Sequence, residues 1–269
     1  MITLLPFYRK VPDYDKEPIW VKNLRSVNYY EMIRYLYDTL VRVSLDGEKF
    51  PMKDIKFLIN TDKKTGFESR FDPDRLFQSD LRNLPLIESK IVAETNAVIA
   101  IKGKLVLCGC DHLVKRDIHR LFEIDKDFDI AIPIRKQKKV NNAIVIVNDR
   151  KPDLVRKFFI KRKESYYKLS SDVNTRKNWA WYGDQIVYDY YLDEFRGKDR
   201  RYPKHLKVKK DGLTFLLFEY GSEYISTSEG YLYNANSVII DFKGTDRKRL
   251  IAKAYSRLIG DFIPNVEAI

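Results

Sequence analysis

The segment KLVLCGCDHLVKRDI, residues 104–118, decides the fold prediction, because an apolar run passes directly into a cluster of reactive side chains. The run predicts a buried β-strand, and Cys108, Cys110, Asp111 and His112 lie at its end. Three interpretations follow: a metal site, a redox-active cysteine pair, or a strand end that carries one working carboxylate.

The two cysteines do not support the first two interpretations. A structural zinc site needs four ligands, usually from a second Cys or His cluster, and a redox pair usually has CxxC spacing at a helix start. Alternation along a strand puts Cys108 and Cys110 on one face, with Gly109 and Asp111 on the other. The cysteines are therefore predicted to pack in the core, and His112 is expected to face away from Asp111.

The rest of the chain alternates between strand and helix patterns. Apolar runs predict strands at 1–8, 55–62, 104–111, 128–134, 143–148, 212–218 and 236–242. Helical spacing predicts helices at 27–43, 85–101, 117–124, 151–167, 181–195 and 246–259, the fifth with Asp184 at its start. This order predicts a single α/β domain over residues 1–269 with a mostly parallel sheet, whose ligand crevice lies beyond the strand ends.

Positive charge is concentrated in one stretch. Residues 135–210 contain 22 Lys and Arg against nine Asp and Glu, whereas the whole chain has a net charge of +12. The excess indicates a polyanionic partner or, alternatively, a solvated basic surface. No apolar run approaches the roughly 20 residues of a membrane span. Two thiols form no disulfide framework, so a cytoplasmic location is expected.

The segment LVLCGCDHLVKRDIHRLF (105–122) resembles the DxD segment of nucleotide-sugar glycosyltransferases of the GT-A fold. It is most similar to the retaining family of glycogenin and the bacterial lipooligosaccharide galactosyltransferases. The alignment puts Asp111 on the second Asp and Gly109 on the first, so one carboxylate is missing. The resemblance implies that Asp111 binds a metal and that position 109 contacts the nucleotide.

Further segments resemble the donor-binding elements of this family in the same order. The family's basic donor contact corresponds to Lys90, and the Asn of its following strand corresponds to Asn141. WYGDQ (181–185) resembles the segment whose acid and amide, here Asp184 and Gln185, face the donor sugar and the reaction centre. Asp62, at an earlier strand end, is expected to contact the nucleotide base or only to begin a turn.

A late segment resembles the element that binds the diphosphate. In IIDFKGTDRKRL (239–250), Asp241 takes the position of the family's metal-binding His. Gly244 takes the position of a diphosphate-contacting Gly, and Lys248 that of a phosphate-binding Lys. With Asp241 in place of His, the metal site is expected to be all-oxygen and to hold Mn²⁺ or Mg²⁺.

The resemblance implies a metal-dependent enzyme that transfers a sugar from a UDP-sugar with retention of configuration. Residues of about 1–148 would then form the donor half, 149–235 the basic acceptor side and 236–260 the diphosphate-binding element. Side chains expected to contact the acceptor are Trp179, Trp181, Arg200, Arg201, Lys204 and His205.

Three acceptor hypotheses remain. The preferred one is DNA that carries hydroxymethylated pyrimidines, of the kind found in bacteriophages, bound through its phosphates and stacked bases. The second is a bacterial surface glycan or lipid-linked saccharide, with basic residues against an anionic membrane. The third is a non-catalytic nucleic-acid-binding protein on a degenerate transferase scaffold.

Overall fold

In the described part of the chain, ten strands form one mixed sheet. The computed structural model describes residues 1–10, 28–46, 54–67, 71–81, 83–135, 139–171, 176–197, 201–228, 234–242 and 250–262, without the side chains of 44–46, 73, 176–181 and 261–262. The strands are β1 Ile2–Phe7, β2 Ile55–Phe57, β3 Ile59–Thr61, β4 Leu76–Gln78, β5 Lys104–Gly109, β6 His112–Val114, β7 Ile130–Arg135, β8 Lys139–Val140, β9 Ile144–Val147, β10 Leu206–Lys210, β11 Leu213–Glu219, β12 Ile225–Thr227 and β13 Ile239–Asp241.

The helices occupy both faces of this sheet. They are α1 Tyr29–Asp46, α2 Leu86–Ala100, α3 Pro152–Ser170, α4 Arg176–Tyr191 and α5 Ile251–Phe262. Short 3₁₀ turns lie at Lys63–Thr65, Pro73–Arg75, Ile118–Phe122 and Asp193–Phe195. Among the described helices, none combines the length and apolar character needed to cross a membrane.

The large sheet has the order β10-β11-β7-β9-β5-β1-β3-β4, with β2 also paired to β1 and β8 to β7. Its strands β1 to β5, β7 and β11 run in one direction, and β8, β9 and β10 run against them. The carboxyl ends of β5, β7 and β11 therefore lie at one edge. The predicted mostly parallel α/β sheet is confirmed.

Apolar side chains fill both faces of the sheet. On one face, Ile33, Leu36 and Leu40 of α1 pack with β1, β5 and β9 residues. On the other face, α3 and α4 contribute Phe158 and Tyr188 to a second cluster. Because β1 is buried along its whole length, its sequence is a continuous apolar run rather than an alternating one.

A second, three-stranded sheet of order β12-β13-β6 was not predicted. Helix α1 fixes it, because the Thr39 hydroxyl accepts a hydrogen bond of 3.1 Å from the Val114 backbone N–H. Its antiparallel register places Asp241 of β13 opposite His112 of β6. This small sheet therefore brings the two sequence-distant ends of the predicted metal site together.

Several predicted elements differ from the structure. The predicted helix 117–124 is a short 3₁₀ turn, and the predicted strand 55–62 divides into β2 and β3. Helix α4 begins at Arg176 rather than at 181, so Asp184 lies in its interior; residues 176–180 contain no Gly or Pro that would stop a helix. Strand β10 was not predicted, and it pairs at the edge of the sheet with β11. Lysines on an edge strand also oppose pairing with another chain.

Candidate active site

The chain bends at Cys110–Asp111, between the end of β5 at Gly109 and the start of β6 at His112. The prediction that His112 faces away from Asp111 is therefore wrong. Alternation holds only within a continuous strand, and the bend turns both side chains toward one point. A glycine inside an apolar run often marks such a bend, so Gly109 was the available signal.

Asp111, His112 and Asp241 form a compact cluster in which one ligand atom of each lies within 4.8 Å of the others. His112 Nδ1 is 3.6 Å from Asp111 Oδ1, and His112 Nε2 is 3.7 Å from Asp241 Oδ1. The backbone holds the cluster in place, because the Phe242 N–H donates to the Asp111 carbonyl at 2.8 Å. His112 and Asp241 are buried, and Asp111 is partly exposed.

Backbone contact fixes the orientation of the His112 ring. Nδ1 lies 3.0 Å from the Gly109 carbonyl oxygen, which can only accept a hydrogen bond, so Nδ1 carries the proton. In the neutral ring, the lone pair is then on Nε2. Nε2 is buried without a hydrogen-bond partner among the described residues, and it points toward a carboxylate oxygen.

This donor set fits a divalent cation. Two carboxylates and an imidazole lone pair converge, and such groups repel one another unless a positive charge lies between them. The Tyr220 hydroxyl donates a hydrogen bond to Asp241 Oδ2, which orients that carboxylate but leaves its charge uncancelled. Histidine ligands commonly donate their second ring N–H to a carbonyl in this way. This candidate set also contains a ring nitrogen of His112, whereas the sequence reasoning expected oxygen ligands alone.

The space above Gly109 is occupied by the cluster itself. A Cβ at this position would overlap Asp111 Oδ1 and would lie 3.4 Å from His112 Cε1. The carboxylate of Asp111 thus fills the volume where a side chain at position 109 would begin. The position that carries the first acid of the DxD pattern is therefore a glycine here, and the cluster beside it contains His112.

Lys90 of α2, which is partly exposed, forms an ion pair with the buried Asp184 of α4, with Lys90 Nζ 2.9 Å from Asp184 Oδ2. Asn142 Nδ2 donates to the same oxygen at 2.6 Å. Burial alone would raise the pKa of Asp184, but Lys90 and the Asn142 amide together lower it. Burial alone would lower the pKa of Lys90, but Asp184 and Glu94 outweigh it, so the pKa of Lys90 is raised overall.

The second carboxylate oxygen of Asp184, Oδ1, is buried and accepts no hydrogen bond within the described part of the chain. Behind this pair, Glu94 links Lys90, at 3.8 Å, to the buried Arg162, at 2.9 Å. This network fixes an ionised Asp184 with one open acceptor. Asn142 was missed by the sequence reasoning, although it directly follows Asn141 at a strand end.

Asp62 is buried and serves the local structure. Its Oδ2 accepts from Arg9 Nε at 3.0 Å, and its Oδ1 accepts from the backbone N–H of Thr65 at 3.0 Å and from its hydroxyl at 2.6 Å. It therefore caps the turn Lys63–Thr65, which agrees with the expectation that Asp62 begins a turn. Asp62 also borders a cavity of about 420 Å³, lined in addition by Lys63, Lys64, Gln78, Ser79, Asp80 and Leu81.

Asn141 is fully buried in the connection between β8 and β9. Its backbone N–H donates to the Pro133 carbonyl at 2.7 Å, and its Oδ1 accepts from the Ala143 N–H at 3.2 Å. These contacts shape the turn that presents Asn142 to Asp184. Asn141 thus directly precedes the residue that contacts Asp184, and its own contacts are to the backbone.

The predicted acceptor residues are only partly described. Arg201, Lys204 and His205 are exposed and precede β10, and Lys204 Nζ lies 3.2 Å from Glu219 at the carboxyl end of β11. Gln185 borders a separate cavity between α4 and the β7–β8 hairpin. The remaining predicted positions fall outside the described residues or side chains: Trp179, Trp181, Arg200, Gly244 and Lys248.

The prediction that the cysteines pack in the core is confirmed. Cys108 and Cys110 are both buried among the apolar residues of one face of the sheet. Burial raises the pKa of the Cys108 thiol well above its usual range, which disfavours the reactive thiolate.

Solved glycosyltransferase structures are similar to this chain. The galactosyltransferase LgtC was solved in complex with donor and acceptor sugar analogues. Its match covers 99% of this chain and 98% of the LgtC chain, with 12% sequence identity and a TM-score of 0.53. The match to a glycosyltransferase involved in glycosylation of the major capsid of PBCV-1 covers 93% of this chain and 98% of that protein, with 8% sequence identity and a TM-score of 0.50. The match to GlyE of Streptococcus pneumoniae TIGR4 covers 97% of this chain and 62% of the GlyE chain, with 13% sequence identity and a TM-score of 0.53.

Comparison by sequence is silent: no protein-family model matches the chain, and no curated protein does. The similarity is therefore one of three-dimensional structure, carried by nearly the whole chain. It agrees with the fold that the sequence resemblance around Asp111 implies. The chain has the GT-A fold of these glycosyltransferases, which confirms the predicted fold class.

Proposed function

We propose that this chain is a metal-dependent glycosyltransferase that moves a sugar from a UDP-sugar to a hydroxyl group of a polyanionic acceptor. The observation that carries the proposal is the Asp111–His112–Asp241 cluster at the end of β5 in a GT-A fold. In the reaction, the bond between the anomeric carbon and the UDP oxygen breaks, and UDP leaves with the electron pair. The acceptor oxygen bonds to that carbon and loses its proton.

Asp111, His112 and Asp241 would hold the metal ion. Mixed carboxylate and imidazole ligands suit Mn²⁺ better than Mg²⁺, which prefers oxygen. When bound, a divalent cation would stabilise the negative charge that builds on the departing diphosphate. Tyr220 and the Gly109 carbonyl orient the Asp241 and His112 side chains for this role.

Asp184 would bind the donor sugar. Its Oδ1 can accept a hydrogen bond from a sugar hydroxyl, because Lys90 and Asn142 engage only Oδ2. Lys90 thus acts on the donor through Asp184, and Gln185, next along α4, would lie at the reaction centre with Asp184. Retention of configuration follows from the family resemblance and is part of this proposal.

The nucleotide would extend from the cluster toward the cavity beside Asp62. Lys63 and Lys64 line that cavity and can contact phosphate or ribose oxygens, while Asp62 itself is committed to Arg9 and Thr65. Asn141 supports the donor side through the turn it shapes. Gly244 and Lys248 stay predictions as diphosphate contacts.

The preferred acceptor is DNA that carries hydroxymethylated pyrimidines, and the setting is the cytoplasm of a cell or of a phage host. Support comes from Lys204, whose ammonium lies beside Glu219 at the sheet edge formed by the carboxyl ends of β7 and β11, and from the exposed Arg201 shortly before it. A basic surface beside the reaction centre can hold phosphates while a base leaves the stack, at a cost of a few kcal/mol.

A glycan acceptor is the second candidate, favoured by the acceptor sugar analogue bound to the similar LgtC structure. A DNA acceptor predicts that binding to duplex DNA weakens steeply as salt rises. Charge reversal at Arg200, Arg201 and Lys204 should then flatten that dependence. If no DNA is bound at low salt, the glycan candidate replaces it.

The test is incubation with a panel of UDP-sugars and Mn²⁺, with hydroxymethylated DNA, plain DNA or oligosaccharides, read by mass spectrometry. The proposal expects one UDP-sugar to yield UDP and a hexose mass added to one acceptor class, with the anomeric configuration read by NMR. Binding to DNA without release of UDP from any donor would instead support the non-catalytic hypothesis.

A further inference from the structure

A second cavity, of about 250 Å³, lies between α4 and the β7–β8 hairpin. Its lining residues are Arg135, Lys139, Val140, Tyr182, Gln185, Ile186 and Asp189. Arg135 and Lys139 are directly opposed in the antiparallel hairpin, so their side chains share one face. The cavity thus combines two cations with the predicted reaction-centre amide.

This cavity lies close to the metal-binding cluster. The Arg135 guanidinium lies 5.5 Å from the centre of the Tyr220 ring, and the hydroxyl of that ring donates to Asp241. Gln185 lies in the cavity wall, directly after Asp184. A group bound here would contact Arg135, which the Tyr220 ring connects to Asp241, and Gln185, which follows Asp184 in the sequence.

The charges of the cavity wall are not balanced within the described residues. Asp189 is the carboxylate among the lining residues, and it already accepts from Val140 N–H at 3.1 Å and from Arg196 at 2.8 Å. Burial raises the pKa of Asp189, although the Val140 N–H and Arg196 oppose that effect. Arg135 Nε is buried and has no hydrogen-bond partner in the described ranges. An unsatisfied buried donor is costly, and an anionic ligand would satisfy it.

The size and chemistry of the cavity suit one small group. Its volume corresponds to about eight waters at ~30 Å³ each, which is room for a single sugar or phosphate group. Tyr182 is 39% exposed and offers a ring face for a sugar. Arginine binds phosphate and carboxylate with two parallel hydrogen bonds, and lysine adds a point charge.

We propose that this cavity is an acceptor subsite in which Arg135 and Lys139 bind a phosphate or carboxylate next to the hydroxyl that receives the sugar. The inference rests on the proposed function, because that function places Gln185 at the reaction centre. It names the chemical class of acceptor: one whose anionic group lies about one sugar ring from the reacting hydroxyl. Neutral acceptors of the same shape should bind weakly.

The test compares matched anionic and neutral probes on the protein with UDP and Mg²⁺, by ligand-observed NMR. The pairs are galactose 6-phosphate or galacturonate against galactose, and thymidylyl-thymidine against thymidine. We expect at least one anionic probe to bind ten or more times tighter than its neutral match. The winning probe identifies the source as a sugar phosphate, a uronic acid or a nucleic-acid phosphodiester.

Arg135→Gln and Lys139→Gln should each reduce this anionic preference several-fold, and the double variant should abolish it. Lys161→Gln, which removes an exposed lysine paired with Asp211, should keep it. Equal binding of all matched probes, or a preference unchanged in the double variant, would overturn the subsite. Binding needs no turnover, so UDP release by the same protein separates failure of the subsite from failure of the proposed function.

Discussion

His112 and Asp241 face each other across an antiparallel strand pair, with His112 Nε2 3.7 Å from Asp241 Oδ1. Because Nδ1 donates to the Gly109 carbonyl, Nε2 presents a lone pair to a carboxylate. Two acceptors at that separation are compatible with a cation bound between them. If the cluster holds a metal ion, His112 would be the ligand that offsets the missing acid at position 109.

Replacement of His112 by Ala should lower the affinity for Mn²⁺ at least tenfold. Loss of an outer-shell partner alone typically costs 10–100-fold, and His112 is expected to be a direct ligand. Titration calorimetry measures the affinity, and a thermal melt checks the fold. His119→Ala is the matched control, because His119 is bound to Asp117 on the following turn. Equal affinities of the two variants would remove His112 from the site.

Replacement of Gly109 by Ala should weaken Mn²⁺ binding while the free energy of unfolding changes little. The new methyl group would displace Asp111 Oδ1, the end of a flexible side chain, so strain is small but a ligand moves. Gly260→Ala is the control, because a Cβ there meets no atom within 4 Å. Gly260→Ala should leave the affinity unchanged. Tighter binding by Gly109→Ala would contradict the packing described at this position.

Replacement of Lys90 by Met should lower the free energy of unfolding by about 3–5 kcal/mol at neutral pH, because it leaves the buried Asp184 without its cation. Urea denaturation measures this. Lys161→Met breaks an exposed pair and should cost less than about 1 kcal/mol. A similar small loss for both variants would show that the Lys90–Asp184 pair contributes little to stability.

The effect of Lys90→Met should depend on pH. The pKa of Asp184 is lowered in the folded protein, so the pair stabilises above the unfolded value of about 3.9, and this contribution is lost as pH falls through the folded pKa. The pKa of Lys90 is raised, so its contribution persists below about 10.4. The difference between wild type and variant should therefore narrow in acid. A difference that grows as pH falls would contradict this assignment.

Replacement of Tyr220 by Phe should reduce Mn²⁺ affinity about tenfold without loss of the fold. The hydroxyl orients Asp241 from outside the cluster, and such partners typically contribute 10–100-fold to metal binding. Phe keeps the ring beneath Arg135. Unchanged affinity would show that the backbone alone orients Asp241.

The sequence predicted the strand ends but not their connections. Continuous apolar runs identify β1 and β5 as buried strands, and Asp111 and Asp241 at strand ends do converge. The small sheet that joins them depends on the pairing of β6 with β13, more than 120 residues away, which local patterns do not encode. His112 was misassigned for a local reason, because the bend at Cys110–Asp111 interrupts alternation.

The buried polar contacts could not be predicted from the sequence either. Lys90 and Asp184 were selected through the family resemblance, but their ion pair depends on how α2 packs against α4. Asn142 lies beside a selected residue, and only the turn at Asn141 decides which amide reaches Asp184. The basic segment before β10 likewise divides between an edge strand and an exposed stretch only once β11 is in place.

The most direct test of the central claim is Mn²⁺-dependent release of UDP from the UDP-sugar used by the protein, in wild type and in Asp111→Ala. We expect EDTA to abolish UDP release and Mn²⁺ to restore it better than Mg²⁺. Asp111→Ala should lower UDP release at least a hundredfold, which corresponds to about 2.7 kcal/mol of transition-state stabilisation. UDP release that persists in EDTA, or that survives in Asp111→Ala, would contradict a metal role for the cluster.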